Sequence, residues 1–571
     1  MENMNGGCAV VRVFEQAGID TIYALHGGHI DPILEAADDV GMKILDTRHE
    51  AVTGYAADAH VRMTGNLAVS LTTAGPGFTN MLTAMASAWL DRIPVVFISG
   101  APPLRDGECN VLQGGLDQVA IASPMTKWSG RATSINTAVQ LTAHAIRTAN
   151  SGTPGPVFLE LPIDILYGPG EVDIREIESM SFEKVRPAPT PSAIEKSLEI
   201  LSQAERPIIM AGTGAVLSQA GEELLAFARK ANIPVFYNVK AAGLIPGSDP
   251  LACGTFADIP RSEINPDAVL LLGARTGMYT GGAVGVIPAD AKLIHVDLDA
   301  RELGRLRAPQ VGIVADCRET LQALLDGDTV FPQRSDFIAR AKGARSWIGE
   351  RFGDLIDSPA PIHQYQALSI LKDFMDDSTL AIGDGGDTSG WNEIALADTA
   401  SHPGVFASVG YLGNLGMHQG WAIAAQLAHP EKRIVCVTGD GSIGFQAMEF
   451  DTFARHNLAI VTVVLNNHQW GMSIVAQHFL WEGRDIASKL SAGTRYDLMA
   501  EACGGHGELV TEPGELKDAL QRAFDSGKPA CVNVLIGTDT TIMSPRTEAM
   551  LAGASPEETI VMPYYDNLEK A

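Results

Sequence analysis

A chain of 571 residues is too long for one hydrophobic core, and its 46% hydrophobic and 19% charged content marks it as globular, with about three domains. A formal net charge of −27 argues against nucleic acid or an anionic membrane as partner, because those surfaces need clustered Lys and Arg to displace counterions. Seven scattered cysteines (Cys8, Cys109, Cys253, Cys317, Cys436, Cys503, Cys531), odd in number and without a CxxC pair, support neither a disulfide framework nor a zinc cluster.

The N-terminal stretch MENMNGGCAVVRVFEQAG breaks its apolar run at Arg12 and Glu15, and the chain has no apolar run of membrane-spanning length. A cytoplasmic enzyme is expected. Helix Ala9–Ala17 and strands Thr21–Leu25, Met42–Asp46, Ile93–Ser99 and Val157–Leu161 then alternate as in a parallel α/β sheet. Glu50 opens a helix rich in small residues (Ala51, Gly54, Ala56, Ala57, Ala59), which permits close packing. Taken alone, Glu50 reads as a first-turn acid complementing the helix dipole.

The proline-rich stretch Arg186–Ser192 (RPAPTPS) reads as a linker. Beyond it, helices Ser192–Leu201 and Gly221–Ala231 alternate with strands Pro207–Met210, Pro234–Tyr237, Ala268–Leu272 and Leu293–Val296. The Ala211–Val216 turn (AGTGAV) lacks the full G-x-G-x-x-G spacing, so this domain is read as architectural. A second proline-bearing linker, Asp357–His363, leads to strands Thr379–Ile382, Ile434–Thr438, Ala459–Leu465 and Cys531–Ile536. The expected domains are 1–185, 192–345 and 360–571, each a doubly wound parallel sheet. The tail beyond Thr540 contains no strand that must join a sheet and reads as a lid or interface segment.

The segment GDGSIGFQAMEFDTFARHNLAIVTVVLNN, Gly439 to Asn467, reads as a strand end, a turn, a helix over Phe445–His456 and a second strand. The crossover brings Asp440 and Asn467 to neighbouring strand ends. There Gly439, Gly441 and Ser442 can offer backbone N–H groups to phosphate oxygens while Asp440 holds a hard cation such as Mg2+. Each half alone is ordinary turn chemistry. Together they resemble the signature of thiamine-diphosphate enzymes, which implies a pyrimidine-binding, a central and a diphosphate-binding domain.

A closer resemblance runs through ALHGGHIDPIL, DTRHEA, TAGPGFTN, AWLDRIPVVFISG, NVLQGGLDQVAIASPMTKW, GARTGMYTGGAVGVIP and GYLGNLG. These are similar to the benzaldehyde lyase group within the acetolactate synthase-like superfamily. The resemblance implies Glu50 as the acid that engages the cofactor pyrimidine, His29 as the acid-base histidine and Gln113 as the residue that hydrogen-bonds the substrate-derived oxygen. It implies Asp440, Asn467 and the Gln469 carbonyl as magnesium ligands. Gly386, Gly413, Leu415, Gly471 and Met472 join Gly439, Gly441 and Ser442 around the cofactor, Gly413 offering its carbonyl to the 4′-amino group. It also implies a homodimer as minimal active unit, within a homotetramer. His26, three residues before His29, reads as a loop histidine bonded to nearby backbone.

Substrate-pocket positions depart from that group. The implied pocket comprises Gly28, Leu112, Ile163, Ser389, Val409, Met472 and Ala476. Ile163 stands for a tryptophan, Ser389 for a tyrosine, Val409 for a histidine and Ala476 for a phenylalanine, while Met472 fills the place of an alanine. Lost aromatic stacking of ~0.5–1.5 kcal/mol weakens a preference for aromatic aldehydes and favours small or aliphatic ones. The expected reaction is making or cleaving 2-hydroxy ketones. Acetolactate synthase-like condensation, 2-keto acid decarboxylation and a noncatalytic regulatory subunit of the same fold are the alternatives.

Overall fold

The first sheet sets its six parallel strands in the order Lys43–Asp46, Thr21–Leu25, Val69–Thr72, Val96–Ala101, Val157–Pro162, Trp128–Arg131. In this computed structural model the described residues are 1–106, 112–260, 262, 264–277, 286–400, 402, 410–480 and 484–538. Val96–Ala101 and Val157–Pro162 are buried along their whole length, as parallel strands covered by helices on both faces must be. The chain leaves Thr21–Leu25 toward one edge and returns on its other side at Val69–Thr72. The carboxyl ends of these two strands form a topological switch point, where α/β folds collect ligands.

The second sheet has the order Ala252–Thr255, Val235–Tyr237, Pro207–Ala211, Ala268–Leu272, Lys292–Asp297, Val311–Val314. The glycines of AGTGAV are used for packing here. Gly214 N donates to Gly273 O at 2.9 Å, and a Cβ on Gly214 would stand 2.6 Å from Gly273 Cα. Two turns thus meet backbone to backbone at the switch point of this sheet.

The third sheet runs Thr379–Gly383, Arg433–Gly439, Val461–Asn466, Ala530–Leu535, His506–Val510, all parallel. Gly439 pairs in register with Leu465, which sets Asp440 and Asn467 at adjacent strand ends. The helix expected over Phe445–His456 is shorter and in two parts: a single turn Asp440–Ile443, then Glu449–Arg455. Between them, Phe445 N and Gln446 N bond three residues back, to Ser442 O and Ile443 O, in tight turns that interrupt the α-helix.

The small residues after Glu50 serve two neighbours. A Cβ on Gly54 would stand 2.5 Å from Ala84 Cβ in its own domain. On the other side the Glu50–Thr64 helix packs against His418–Ala428 of the third domain, where a Cβ on Gly420 would stand 2.8 Å from Tyr55 Cβ. The linker Arg186–Ser192 is pinned, since Arg186 donates to Ser218 O and Asp316 Oδ2. Among the described residues Cys8, Cys253, Cys317, Cys436, Cys503 and Cys531 are free thiols, and no helix is long and apolar enough to cross a membrane. Residues 539–571, which include the expected lid, lie outside the described residues.

Candidate active site

His29 follows the Thr21–Leu25 strand at the switch point of the first sheet, and its Nδ1 lies 3.1 Å from Thr73 Oγ1, just past the neighbouring strand. A side chain on Gly100 would collide with His29 Cβ, so the strand end beneath the imidazole must be glycine. Burial lowers the His29 pKa and favours the neutral ring. His26 is different: its Nε2 pairs at 2.8 Å with Asp31 Oδ1 on the exposed surface, a side-chain partner in place of the expected backbone one.

Gln113 adopts a φ of +57°, and its Cα would stand 3.0 Å from a Cβ on Gly75, itself at φ +65°. Its backbone is therefore seated at the start of the Pro76–Asp91 helix, two residues after the partner of His29. Buried Gln118 organises this edge. It accepts from Gly75 N at 3.1 Å and donates to Gly100 O and Glu160 Oε2, each at 3.0 Å. The sequence reading had no signal for that role.

Glu50 is 8% exposed at the first position of its helix, and Asn80 Nδ2 donates to its Oε2 at 2.9 Å. The carboxylate is thus buried and hydrogen-bonded. Asn80, the last residue of TAGPGFTN, carries no signal in the sequence for this role.

Three adjacent strand ends of the third sheet build the other half. Asp440 is buried, and Gly441 N donates to its Oδ1 at 2.9 Å and Gln469 N to its Oδ2 at 3.2 Å. Burial pushes its pKa up to about 6, against the lowering by the backbone N–H groups it accepts from. Of the two neighbouring amides, Asn466 is committed to Asn533 and His468 N, whereas the buried Asn467 side chain has no hydrogen-bond partner among the described residues. The Gln469 side chain is held by Thr538 O and Lys489 Nζ, and the flanking bonds Trp470 N to Ser488 O and Leu490 N to His468 O fix its backbone.

Side chains are crowded out along this edge. A Cβ on Gly441 would stand 2.5 Å from the Trp470 ring, one on Gly439 3.1 Å from Thr388 Oγ1, and one on Gly386 2.7 Å from Met472 Sδ. Ser442 is buried at the same turn, and Gly471 opens the helix Gly471–Leu480, on which Met472 is exposed. Asp384 ties two segments together. Its Oδ1 accepts from Gly385 N, and its Oδ2 from Gly416 N at 2.8 Å, while His418 Nδ1 lies 2.8 Å from that Oδ2. It thereby holds the end of the loop that carries Gly413, at φ +71°, and Leu415. That role too escaped the sequence reading.

Among the expected pocket residues, Gly28 O accepts from Tyr167 OH at 3.2 Å, Ile163 opens the helix Ile163–Tyr167, and Leu112 is exposed. Buried Ser389 Oγ has no partner among the described residues. Val409 and the side chain of Ala476 lie outside the described residues.

The third-sheet edge fits a Mg2+-bound diphosphate. It offers one carboxylate, one unpartnered amide and one backbone carbonyl, all hard oxygen donors, beside a glycine turn at a strand end. Residues 4–121 match the thiamine pyrophosphate enzyme N-terminal TPP binding domain, 194–324 its central domain and 384–534 its C-terminal TPP binding domain. Over 557 residues the chain is 33% identical to a probable acetolactate synthase of Mycobacterium bovis, covering 95% of this chain and 98% of that protein. It is 28% identical over 578 residues to 2-hydroxyacyl-CoA lyase 2 of Bos taurus, covering 93% and 90%. A probable acetolactate synthase large subunit of Methanococcus aeolicus is 28% identical over 562 residues, covering 94% and 93%. The chain therefore belongs to the thiamine pyrophosphate enzyme family, in its acetolactate synthase-like superfamily, and works with thiamine diphosphate and Mg2+.

Proposed function

We propose that the protein is a carboligase or lyase of the benzaldehyde lyase type, making or cleaving 2-hydroxy ketones from aldehydes. The observation that carries this reading is the His29–Thr73 contact at the switch point of the first sheet. It engages Nδ1 of a neutral imidazole and leaves Nε2 to exchange a proton with a substrate hydroxyl.

When bound, thiamine diphosphate supplies a carbon nucleophile that adds to a carbonyl. Glu50, steadied by Asn80, would receive the pyrimidine end. Asp440, Asn467 and the Gln469 carbonyl would hold Mg2+, with Gly439, Gly441 and Ser442 around the diphosphate. Gly386, Gly413, Leu415, Gly471 and Met472 would line the rings. His29 moves the proton at the substrate oxygen, and Gln113 donates a hydrogen bond to that oxygen as charge develops there. Gly28, Leu112, Ile163, Ser389, Val409, Met472 and Ala476 would bound the substrate, and their shortage of aromatic rings favours an aliphatic or short aldehyde.

The two halves of the site are proposed to come from two copies of the chain, in a homodimer or a homotetramer, acting on small molecules in the cytoplasm. Within one chain, among the described residues, only Oε2 of the Glu50 carboxylate is engaged, by Asn80, while its flank binds elsewhere on the third domain, Arg48 N to Glu449 Oε1 and Asp46 to Arg455 and His456.

The relatives favour a second reading within the same chemistry, either acetolactate synthase-like condensation or cleavage of a 2-hydroxyacyl-CoA. Incubation with thiamine diphosphate, Mg2+ and benzoin, acetoin, benzaldehyde, formaldehyde, pyruvate or a 2-hydroxyacyl-CoA separates them. Aldehyde release from an acyloin supports the first reading. Acetolactate or carbon dioxide from pyruvate, or cleavage of the thioester alone, replaces it with the second.

A further inference from the structure

Where the three domains meet, four charged side chains are buried with hardly any solvent contact. Arg62, in the last turn of the Glu50–Thr64 helix, donates through Nε to Asp58 Oδ1 at 2.6 Å and through a terminal nitrogen to Asp91 Oδ2 at 3.0 Å. Lys240 of the central domain donates from Nζ to the same Asp91 oxygen. Side-chain exposure is 1% for Arg62, 6% for Asp91 and 8% for Lys240. Two cations thus pair with two anions, and one of them, Lys240, reaches in from across a domain boundary.

Such a cluster is costly to desolvate and adds little net stability, so its presence calls for a role in fixing geometry. What it fixes is the start of the Gly410–Gly416 loop. Asp91 Oδ1 accepts from Tyr411 N at 3.4 Å, and Arg275 of the central domain stacks its guanidinium 4.6 Å from the Tyr411 ring centroid. Gly410 sits at φ +62°, and a Cβ there would stand 2.8 Å from Lys240 Nζ and 2.9 Å from Asp91 Oδ2. The loop backbone therefore lies directly on the ion pair. Its far end is held by Asp384 through Gly416 N and His418.

We propose that Asp91 and Lys240 are positioning residues for the cofactor rings: their ion pair, shared by the first two domains, sets the height of the loop that presents Gly413 and Leu415. This rests on the reading that Gly413 and Leu415 face the thiamine. The diphosphate end, built on Asp440 and Asn467, does not touch the cluster and so should be insensitive to it.

That asymmetry is the test. The apoenzyme and its Gly410→Ala and Asp91→Asn variants are titrated by calorimetry, in Mg2+, with thiamine diphosphate and separately with inorganic diphosphate. If the competent loop geometry falls to about a tenth of the population, thiamine diphosphate binds about tenfold more weakly, while inorganic diphosphate binds as in the unmodified protein. Unchanged affinity for both ligands overturns the proposal, as does a parallel loss of both, which would mark the cluster as domain glue only. Gly410→Ala strains the loop directly, at φ +62°, and so tests whether the loop serves the cofactor rings; should Asp91→Asn fail to fold, Lys240→Gln tests the ion pair in its place. An unmodified protein that binds diphosphate and thiamine diphosphate equally would instead remove the loop from the cofactor site and sink the reading on which the proposal rests.

Discussion

His29 Nδ1 and Thr73 Oγ1 lie 3.1 Å apart across 44 residues of sequence, joining the loop after one strand to the residue after its neighbour. The contact engages Nδ1 and leaves Nε2 as the nitrogen for the acid-base role proposed for His29.

Replacing His29 by alanine is expected to lower kcat/KM by about 10²–10⁴-fold, the range of a lost acid-base group. Thr73→Val should cost about 1 kcal/mol, or about fivefold, since the imidazole remains but loses one hydrogen bond. The pH profile separates the two. Burial sets the His29 pKa below the ordinary 6.5, so the neutral ring prevails at neutral pH and is lost as pH falls through the lowered value. The unmodified enzyme and Thr73→Val should both show an acid limb below pH 6.5 that His29→Ala lacks.

Glu50→Ala should abolish turnover while leaving the assembly intact by size-exclusion chromatography. Asn80→Ala, which removes only the amide 2.9 Å from the Glu50 carboxylate, should lose about tenfold in kcat, about twice the rate effect of an ordinary hydrogen bond. Undiminished activity of Glu50→Ala would exclude this carboxylate from the reaction.

Asp440→Asn should weaken Mg2+-dependent binding of thiamine diphosphate by more than about 100-fold if Asp440 holds the metal as proposed, because losing a ligand exceeds the 10–100-fold effect of losing a supporting residue. Chelation of Mg2+ from the unmodified protein should have the same consequence. Tryptophan fluorescence provides a readout, since Trp470 packs against Gly441 in the same turn.

Met472 lies so close to Gly386 that even a methyl group there would press on its sulfur. Met472→Ala should open this side of the cleft and raise kcat/KM for benzaldehyde relative to acetaldehyde by about tenfold, the worth of one or two methylenes in a pocket. Gly386→Ala should instead displace Met472 and depress binding of the cofactor. Competition assays with the two aldehydes measure the first effect, and calorimetry the second.

Strand Thr21–Leu25, strand Ala268–Leu272 and helix Gly221–Ala231 were legible to the residue, because each is an apolar or amphipathic run bounded by turn chemistry. Strand Ile93–Ser99 was displaced to Val96–Ala101, since Ile93 N still closes the preceding helix on Ala88 O and Pro94 has no N–H to give. The pairing of Glu2–Asn5 with Pro169–Val172 had no signal, being a short, largely polar antiparallel pair.

The sequence by itself determined the three α/β domains and the cofactor, because a strand-turn-helix-strand crossover with Asp440 at one end and Asn467 at the other is a local pattern, complete within one stretch of chain. The tertiary structure alone decided which residues hold those groups in place: Thr73 for His29, Asn80 for Glu50, Asp384 for the Gly413 loop, and Asp91 with Lys240 beneath Gly410. Each of these contacts spans 30 residues or more, and hydrogen bonds and buried ion pairs leave no periodicity in a sequence from which the partner could be read.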